Sequence, residues 1–283
     1  MADVKLEALR AWVGRRETRT DLVTSGPLAA LAATLDRDDA SPDAEVPPLH
    51  HWLYLLPAAP MRQLGDDGHP ARGGFLPPVP LPRRMWAASR VEFHAPLRVG
   101  ETITRTSEII DVQAKDGRSG PLVFVKVRHE LASGVTPSVT EDQEIVYREH
   151  PSPGATPPMP RPAPAGAAWQ REVRPDPVLL FRYSALTFNG HRIHYDRPYA
   201  TDVEGYPGLV VHGPLLATLL ADLVRRNLPD AVLTRFEFRA VRPVFDGASF
   251  QLCGAPAPDG RSVRLWVRDA EGALCMEAGA TLS

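Results

Sequence analysis

The sequence predicts an α+β protein made of two related lobes, and three observations carry that prediction. Two segments recur about half a chain apart: Glu92-Phe93-His94-Ala95 is matched by Glu237-Phe238-Arg239-Ala240 at an offset of 145 residues, and Val123 to Arg128 by Val263 to Arg268 at an offset of 140. Similarity at a fixed spacing marks a duplicated unit. Between the copies, seven of the fourteen residues from Pro151 to Pro164 are proline, which leaves few backbone donors and a stiff, extended spacer. Each half reads as a helical region followed by an antiparallel meander, an arrangement that buries one face of a sheet under a helix. We therefore divide the chain into a lobe over 1–150, a linker over 151–164 and a lobe over 165–283, and expect the lobes to pack sheet to sheet.

In the second lobe the helix runs from Pro214 to Asn227: proline suits the first helical position, Leu215, Leu216, Leu219, Leu220 and Leu223 form one stripe, and Pro229 closes it. Period-2 runs follow at 233–240, 249–257, 262–269 and 273–282, separated by turn residues such as Pro258-Asp259-Gly260. The first lobe repeats this rhythm at 90–93, 101–113, 122–131 and 138–147. Its helical region is interrupted by Pro47, Pro48, Pro57, Pro60 and the proline-rich run from Phe75 to Pro82, so the helix is expected intact once and degraded once.

The 283 residues are 43% hydrophobic and 23% charged, the balance of a globular chain. With 32 basic against 34 acidic residues the formal charge is −2, which supplies no field for nucleic acid. Only three of the cations are lysine; the rest are arginine, a fork that grips carboxylate or phosphate. Cys253 and Cys275 are the only cysteines, too few for a disulfide framework or a cysteine zinc site. The N-terminal segment carries Asp3, Glu7 and Glu17 without an apolar secretory core, and the most apolar stretch, 209–224, is broken by His212, Gly213 and Pro214. A cytoplasmic protein without membrane contact is expected.

Chemistry concentrates between 181 and 220, where Asn189, His191, His194, Asp196 and Tyr199 precede a turn, Gly208-Leu209-Val210-Val211-His212-Gly213-Pro214-Leu215, that opens the helix. The free N–H groups of a helix start favour developing negative charge. Zinc on His191, His194 and Asp196 would lack the H-E-x-x-H spacing and place Arg192 between its ligands, so no metal is expected. A G-x-S-x-G nucleophile elbow is absent. Ser184-Ala185-Leu186-Thr187, His194, Tyr199-Ala200 and the 208–215 turn together resemble the signature of the MaoC-like (R)-specific enoyl-thioester hydratases and dehydratases. The resemblance implies a hotdog fold, here doubled with a degenerate N-terminal lobe, and a hydro-lyase needing no cofactor beyond the CoA of its substrate. That family has an aspartate five residues before the histidine and an asparagine three before it. This chain has Asn189 and His191 there, and Phe188 and Arg192 where glycine and proline are usual. The run from Phe188 to Asp196 is similar to a subgroup containing mesaconyl-C4-CoA hydratases and mitochondrial-type 3-hydroxyacyl-thioester dehydratases, which also have a diverged first lobe.

Hydration of an enoyl thioester needs a base for water at C3, a proton donor at C2 and hydrogen bonds to the thioester oxygen. His194 is expected to move the proton and Asn189, whose amide cannot act as a base near neutral pH, to orient water. Backbone N–H groups of Val211, His212 and Gly213 are expected to hold the oxyanion. Asp196 and Tyr199 read as structural, and His212 as either structural or orienting. The subgroup implies a short dicarboxylic acyl-CoA, its free carboxylate held by Arg192 beside His191 or by Arg83, Arg84 and Arg90. The chains are expected to form a homo-oligomer. Three alternatives stay open: a dehydratase acting on acyl carrier protein, a hotdog thioesterase and a non-catalytic acyl-thioester-binding protein.

Overall fold

The computed structural model describes residues 6–38, 45–117, 120–150 and 159–283. The first lobe contributes β1 (Arg16–Leu22), β2 (Arg83–Phe93), β3 (Thr102–Gly117), β4 (Gly120–Ser133) and β5 (Thr136–Arg148); the second contributes β6 (Trp169–Val173), β7 (Leu233–Ala240), β8 (Phe250–Pro256), β9 (Ser262–Arg268) and β10 (Leu274–Leu282). They form one antiparallel sheet in the order β1-β3-β4-β5-β2-β7-β10-β9-β8-β6, a palindrome in which every first-lobe strand has a second-lobe counterpart. The lobes are therefore not packed sheet to sheet, contrary to the expectation from sequence. They join edge to edge, β2 pairing with β7 from Ala88↔Arg239 to Glu92↔Arg235. An edge strand carries unpaired N–H and C=O groups, and joining two edges satisfies both rows.

The duplication holds, but its register differs from the sequence matches. Gly100 and Gly247, left-handed at φ 91° and 94°, close the same turn after β2 and β7, which makes the offset there 147 residues. Arg90 is then the counterpart of Glu237, and the two face each other in the β2·β7 ladder, so the pseudo-twofold axis passes between them. Likewise the β4 and β9 segments lie in equivalent strands but four residues out of step: the series Ser89, Gln143, Val127 across the first lobe corresponds to Phe236, Ala280, Val263 across the second. Alternating sequences slide by two or four residues without exchanging faces, so both false registers kept the apolar pattern.

Among the described residues four α-helices complete the lobes: α1 (Leu6–Arg10), α2 (Ser25–Thr34), α3 (Pro177–Leu186) and α4 (Gly213–Asn227). Ten-residue α2 and α3 are counterparts and pack on each other. In α4, the helix expected from Pro214 to Asn227, every residue from Leu215 to Val224 is buried. The described residues between α2 and β2 contain only 3₁₀ turns at His50–Leu53 and Met61–Gln63, so among the described residues the first lobe has no counterpart of α4. Sequence reading missed β1, β6, α2 and α3 and began β2 seven residues late. Every β1 residue except Leu22 is polar, as suits a guarded edge, and such a strand shows no apolar period. Residues 151–158 of the linker fall outside the described residues; beyond them Ala163 donates to the Gly272 carbonyl at 3.0 Å. Among the described residues no helix is long and apolar enough to cross a membrane.

Candidate active site

The signature loop begins where α3 ends. Asp176 caps the start of α3 by accepting from Leu179 N–H at 2.8 Å. At its far end Phe188 adopts a left-handed conformation, φ 50°, and Asn189 N–H returns to the Ser184 carbonyl at 2.8 Å. Phe188 thus occupies a backbone state that glycine enters freely and a phenylalanine enters at a cost. Asn189 lines the cavity described below, but its Oδ1 accepts His191 N–H at 3.0 Å, leaving the side-chain NH₂ to meet a ligand.

His194 ends the 3₁₀ turn Arg192–His194. Its Nδ1 lies 2.7 Å from the Val210 carbonyl; a carbonyl can only accept, so Nδ1 carries the hydrogen and Nε2 keeps its lone pair. The ring stacks on His212 at 3.6 Å and 19°, and fully buried His212 is held through Nε2 by Ser184 Oγ at 2.8 Å. Burial pushes His194 down to about 4 against the pull of the Val210 bond. Burial also holds His212 well below its ordinary value, reinforced by His194 and His191. At pH 7 both rings are neutral, His194 keeping an Nε2 lone pair and His212 lying as a plate against its face.

Of the three expected oxyanion donors, Val211 is a correction: its N–H donates to the Val244 carbonyl at 2.8 Å, because the chain is still strand-like there. His212 is the N-cap of α4 and lies beneath the cavity wall. Gly213 lines the cavity, and the first N–H groups of a helix have no intrahelical carbonyl. Its N–H therefore stands at the positive end of α4, where negative charge is favoured.

The cavity, about 1870 Å³, runs from this loop to the concave face of the first-lobe sheet, where Glu17, Arg105, His129 and Glu141 line it. Glu141 accepts from Ser89 Oγ at 2.7 Å and Trp52 Nε1 at 2.9 Å, with His51 Nε2 at 3.4 Å. Burial favours its protonated form, but the bonds from His51 and Trp52 and the charges of His51 and His129 prevail and bring it down to about 2.

Sequence reading missed a second cluster, Asp67 and His69, on a first-lobe turn closed by Gly65 N–H to the His69 carbonyl at 2.8 Å. Its only sequence signal is the turn-forming Asp66-Asp67-Gly68. His69 Nδ1 lies 3.1 Å from Asp67 Oδ2. The His69 ring is 4.1 Å from that of His191, which is 5.4 Å from His194. The turn is clamped onto the signature loop by Arg192, whose N–H reaches the Asp67 carbonyl at 2.9 Å and whose Nη1 reaches that of Asp66 at 3.0 Å. Gly68 and Gly190 meet so closely that a Cβ on Gly68 would lie 2.0 Å from the Gly190 carbonyl oxygen. Burial lowers the pKa of both His69 and His191. Asp67 is lowered as well, since the bond and charge of His69 outweigh burial. Asp67, His69 and His191 bring three donor atoms within 4.8 Å of one another, a set able to hold a cation, although the charge of Arg84 acts on all three residues and opposes one. Asp196 is no part of this group; it pairs with Arg192 at 2.8 Å.

The expected carboxylate-binding arginines separate. Arg83 is buried against Glu204 at 2.7 Å and lies over Tyr206, and Arg90 is exposed opposite Glu237 at 3.8 Å, so neither lines the cavity. Arg192 reaches the cavity wall but is held by Asp196 and the face of Tyr199. Arg84 lines the cavity. The irregularity between Trp86 and Ala88 in the β2·β5 register reverses the alternation of faces, which sends Arg84 and Arg90 to opposite sides.

A curled antiparallel sheet around a central helix, doubled with one helix lost, and a histidine loop at the start of the surviving helix define the class: a double-hotdog hydro-lyase. The chain belongs to the hydroxyacyl-thioester dehydratase type 2 family, whose model matches residues 49–246. It is 48% identical over 273 residues, 95% of each chain, to mesaconyl-C(4)-CoA hydratase of Chloroflexus aurantiacus. Among solved structures it resembles a MaoC-like dehydratase from Phytophthora capsici, with TM-score 0.69 and 15% identity over 99% of this chain and 98% of that one. It also resembles a Mycobacterium tuberculosis protein with a double hotdog fold, with TM-score 0.59 and 16% identity over 96% of each.

Proposed function

We propose that this chain reversibly adds water to an α,β-unsaturated acyl-CoA thioester with a short dicarboxylic acyl group of the mesaconyl-C4 type. The observation that carries the reading is His194, neutral, fixed in tautomer by Val210 and lining the cavity. In hydration its Nε2 takes a proton from water as the oxygen bonds to C3, and the Asn189 amide orients that water. Gly213 N–H and the positive end of α4 meet the thioester oxygen as it gains charge. The name of the 48% identical Chloroflexus protein supports the acyl group, and the charged cavity floor suits a polar acyl chain better than a long apolar one. Of the arginines expected from the sequence to hold the free carboxylate, Arg84 is the one assigned here, since it lines the cavity and Arg83 and Arg90 do not.

The test follows enoyl absorbance and free thiol separately with mesaconyl-C4-CoA and crotonyl-CoA. Absorbance is expected to fall without thiol release, faster for the dicarboxylic substrate, and Arg84→Ala to reduce that preference by about 10-fold or more, the worth of a charged hydrogen-bonded pair. His194→Ala should lower the rate by about 10² to 10⁴. Thiol release would overturn the hydratase reading. Equal use of both thioesters, unchanged by Arg84→Ala, would overturn the dicarboxylate.

A further inference from the structure

We propose that the Asp67–His69 pair of the first lobe is a second acid/base group of the site, exchanging the proton at C2 while His194 serves the water at C3. The inference rests on the hydratase reading above. With asparagine at position 189 and Asp196 engaged by Arg192, the signature loop itself brings no carboxylate to the reaction. His194 can accept a proton, but its Nδ1 partner is a neutral carbonyl and its face lies on buried His212, so a charge formed there has no anion to meet it. His69 has one. The Asp67 carboxylate accepts from Nδ1, which leaves the Nε2 lone pair free and stabilises an imidazolium once formed. His69 lines the same cavity as His194, and His191 lies between the two rings.

The placement is built rather than incidental. Two hydrogen bonds from Arg192 and the Gly68–Gly190 contact fix the first-lobe turn against the second-lobe loop. In hydration the water oxygen bonds to C3 as His194 Nε2 takes one of its protons, and the C2–C3 π pair moves into the thioester as an enolate. That proton passes across His191 to His69, where Asp67 balances the charge. His69 Nε2 then gives it to C2 as the enolate reverts to a thioester. One water has been added and all three rings are neutral again.

The experiment uses the full chain and a hydrated thioester deuterated at C2, following loss of deuterium to solvent beside overall turnover. His69→Ala and His69→Gln are expected to lose both by about 10² or more, with parental melting curves, and added imidazole to restore part of the rate of His69→Ala. The glutamine keeps a hydrogen-bonding partner for Asp67 but cannot carry a proton. His194→Ala should lose turnover yet retain C2 exchange within about 10-fold, because the enolate still forms. Asp67→Asn, a change at a positioning residue, should lower kcat with KM unchanged. Near-parental C2 exchange in either His69 variant overturns the proposal. So does a chelated enzyme that is inactive and recovers with zinc, which would assign Asp67, His69 and His191 to a metal. A parent inert toward every enoyl-CoA tested overturns the hydratase reading and this inference together, whereas an active parent indifferent to His69 overturns this inference alone.

Discussion

Outward from the pseudo-twofold axis, the first-lobe row Val91, Glu141, His129, Ser107, Glu17 has as its counterpart the second-lobe row Phe238, Ala278, Leu265, Gly254, Trp169. Both rows lie on the inner face of the same sheet. The second is apolar because α4 covers it: a Cβ on Gly254 would lie 2.7 Å from Trp169 and 3.5 Å from Leu223 of that helix. The first faces the cavity, and its polar groups satisfy one another, His129 meeting Ser107 Oγ at 2.8 Å and Gln143 Oε1 at 3.1 Å. Losing one helix turned a hydrophobic core surface into the floor of a polar binding cavity, while the partner lobe kept its core and the helix start used for chemistry.

Exchanging one counterpart pair tests this asymmetry most severely. Leu265→His puts an imidazole under α4, where the counterparts of its natural partners Ser107 and Gln143 are Gly254 and Ala280. It should destabilise by about 3–5 kcal/mol, combining lost apolar burial with unsatisfied polar atoms. The reverse, His129→Leu, leaves Gln143 facing the cavity and buried Ser107 without its imidazole partner, and should cost only about 1–2 kcal/mol. Chemical denaturation of the two variants reads the difference, and equal costs would mean that the two faces are not differentiated in this way.

The buried histidines and the buried carboxylate of the site should also respond to acid in separate windows. Burial lowers His69, His191, His194 and His212 in the folded state. For a depressed histidine the unfolded chain takes up protons first, so the stabilisation is complete above an ordinary value of about 6.5 and is lost as pH falls below it. With His194 at about 4, that residue alone accounts for about 3 kcal/mol between those limits. Glu141, at about 2, gives stability that is present above its unfolded value near 4.5 and lost only as pH falls toward 2. Melting temperature should therefore decline steadily from pH 7 to 5, with a shallower slope in His212→Asn and an unchanged slope in Glu141→Gln over that range. The activity limb set by His194 lies near pH 4, so kcat/KM should show no His194 inflection between pH 6 and 8.

Much of this organisation is legible in the sequence where a pattern is both apolar and periodic. The α4 stripe and the strands after it fall within a residue or two of their expected bounds, and the histidine loop is recognisable because its residues are contiguous. What is lost is whatever depends on pairing. Polar β1 shows no apolar period, the edge-to-edge joining of β2 and β7 is a matter of backbone groups, and the duplication register slipped because period-2 patterns permit it. Asp67 and His69 were invisible for a further reason: they stand more than 100 residues from His191, and the two turns meet only in the folded chain, through the Gly68–Gly190 contact and the hydrogen bonds of Arg192.

That contact is the next place to strike the relation between the lobes. Gly68 is left-handed at φ 84° and has no room for a side chain, the obstructing atom being backbone. Gly68→Ala should displace the first-lobe turn, costing about 2 kcal/mol in stability and about 10² in kcat, since moving a reacting group by about 1 Å has that effect. Gly100→Ala, also left-handed but in open space, should lose a comparable part of the stability while leaving kcat unchanged. If Gly68→Ala keeps parental turnover, the docked turn is not part of the reaction.

The smallest effect concerns the ends of the paired helices. Two residues beyond α2 stands Asp36 at φ 55°, and two residues beyond α3 stands Phe188 at φ 50°, counterpart positions with the same left-handed backbone. Aspartate and asparagine enter that region more readily than a phenylalanine, whose Cβ crowds the following carbonyl at a cost of about 1–2 kcal/mol. The side chain of Phe188 is mostly exposed, so little burial offsets the cost. Phe188→Asn should therefore stabilise the protein by about 0.5–1 kcal/mol, and Asp36→Phe should destabilise it by a similar amount. In a chain of this size the shifts in melting temperature are about 2 °C in opposite directions, within reach of calorimetry on matched samples. A loss of stability in Phe188→Asn would show that the aromatic ring contributes more by covering the loop than it costs in backbone strain, and the two helix ends would then differ in packing rather than in strain alone.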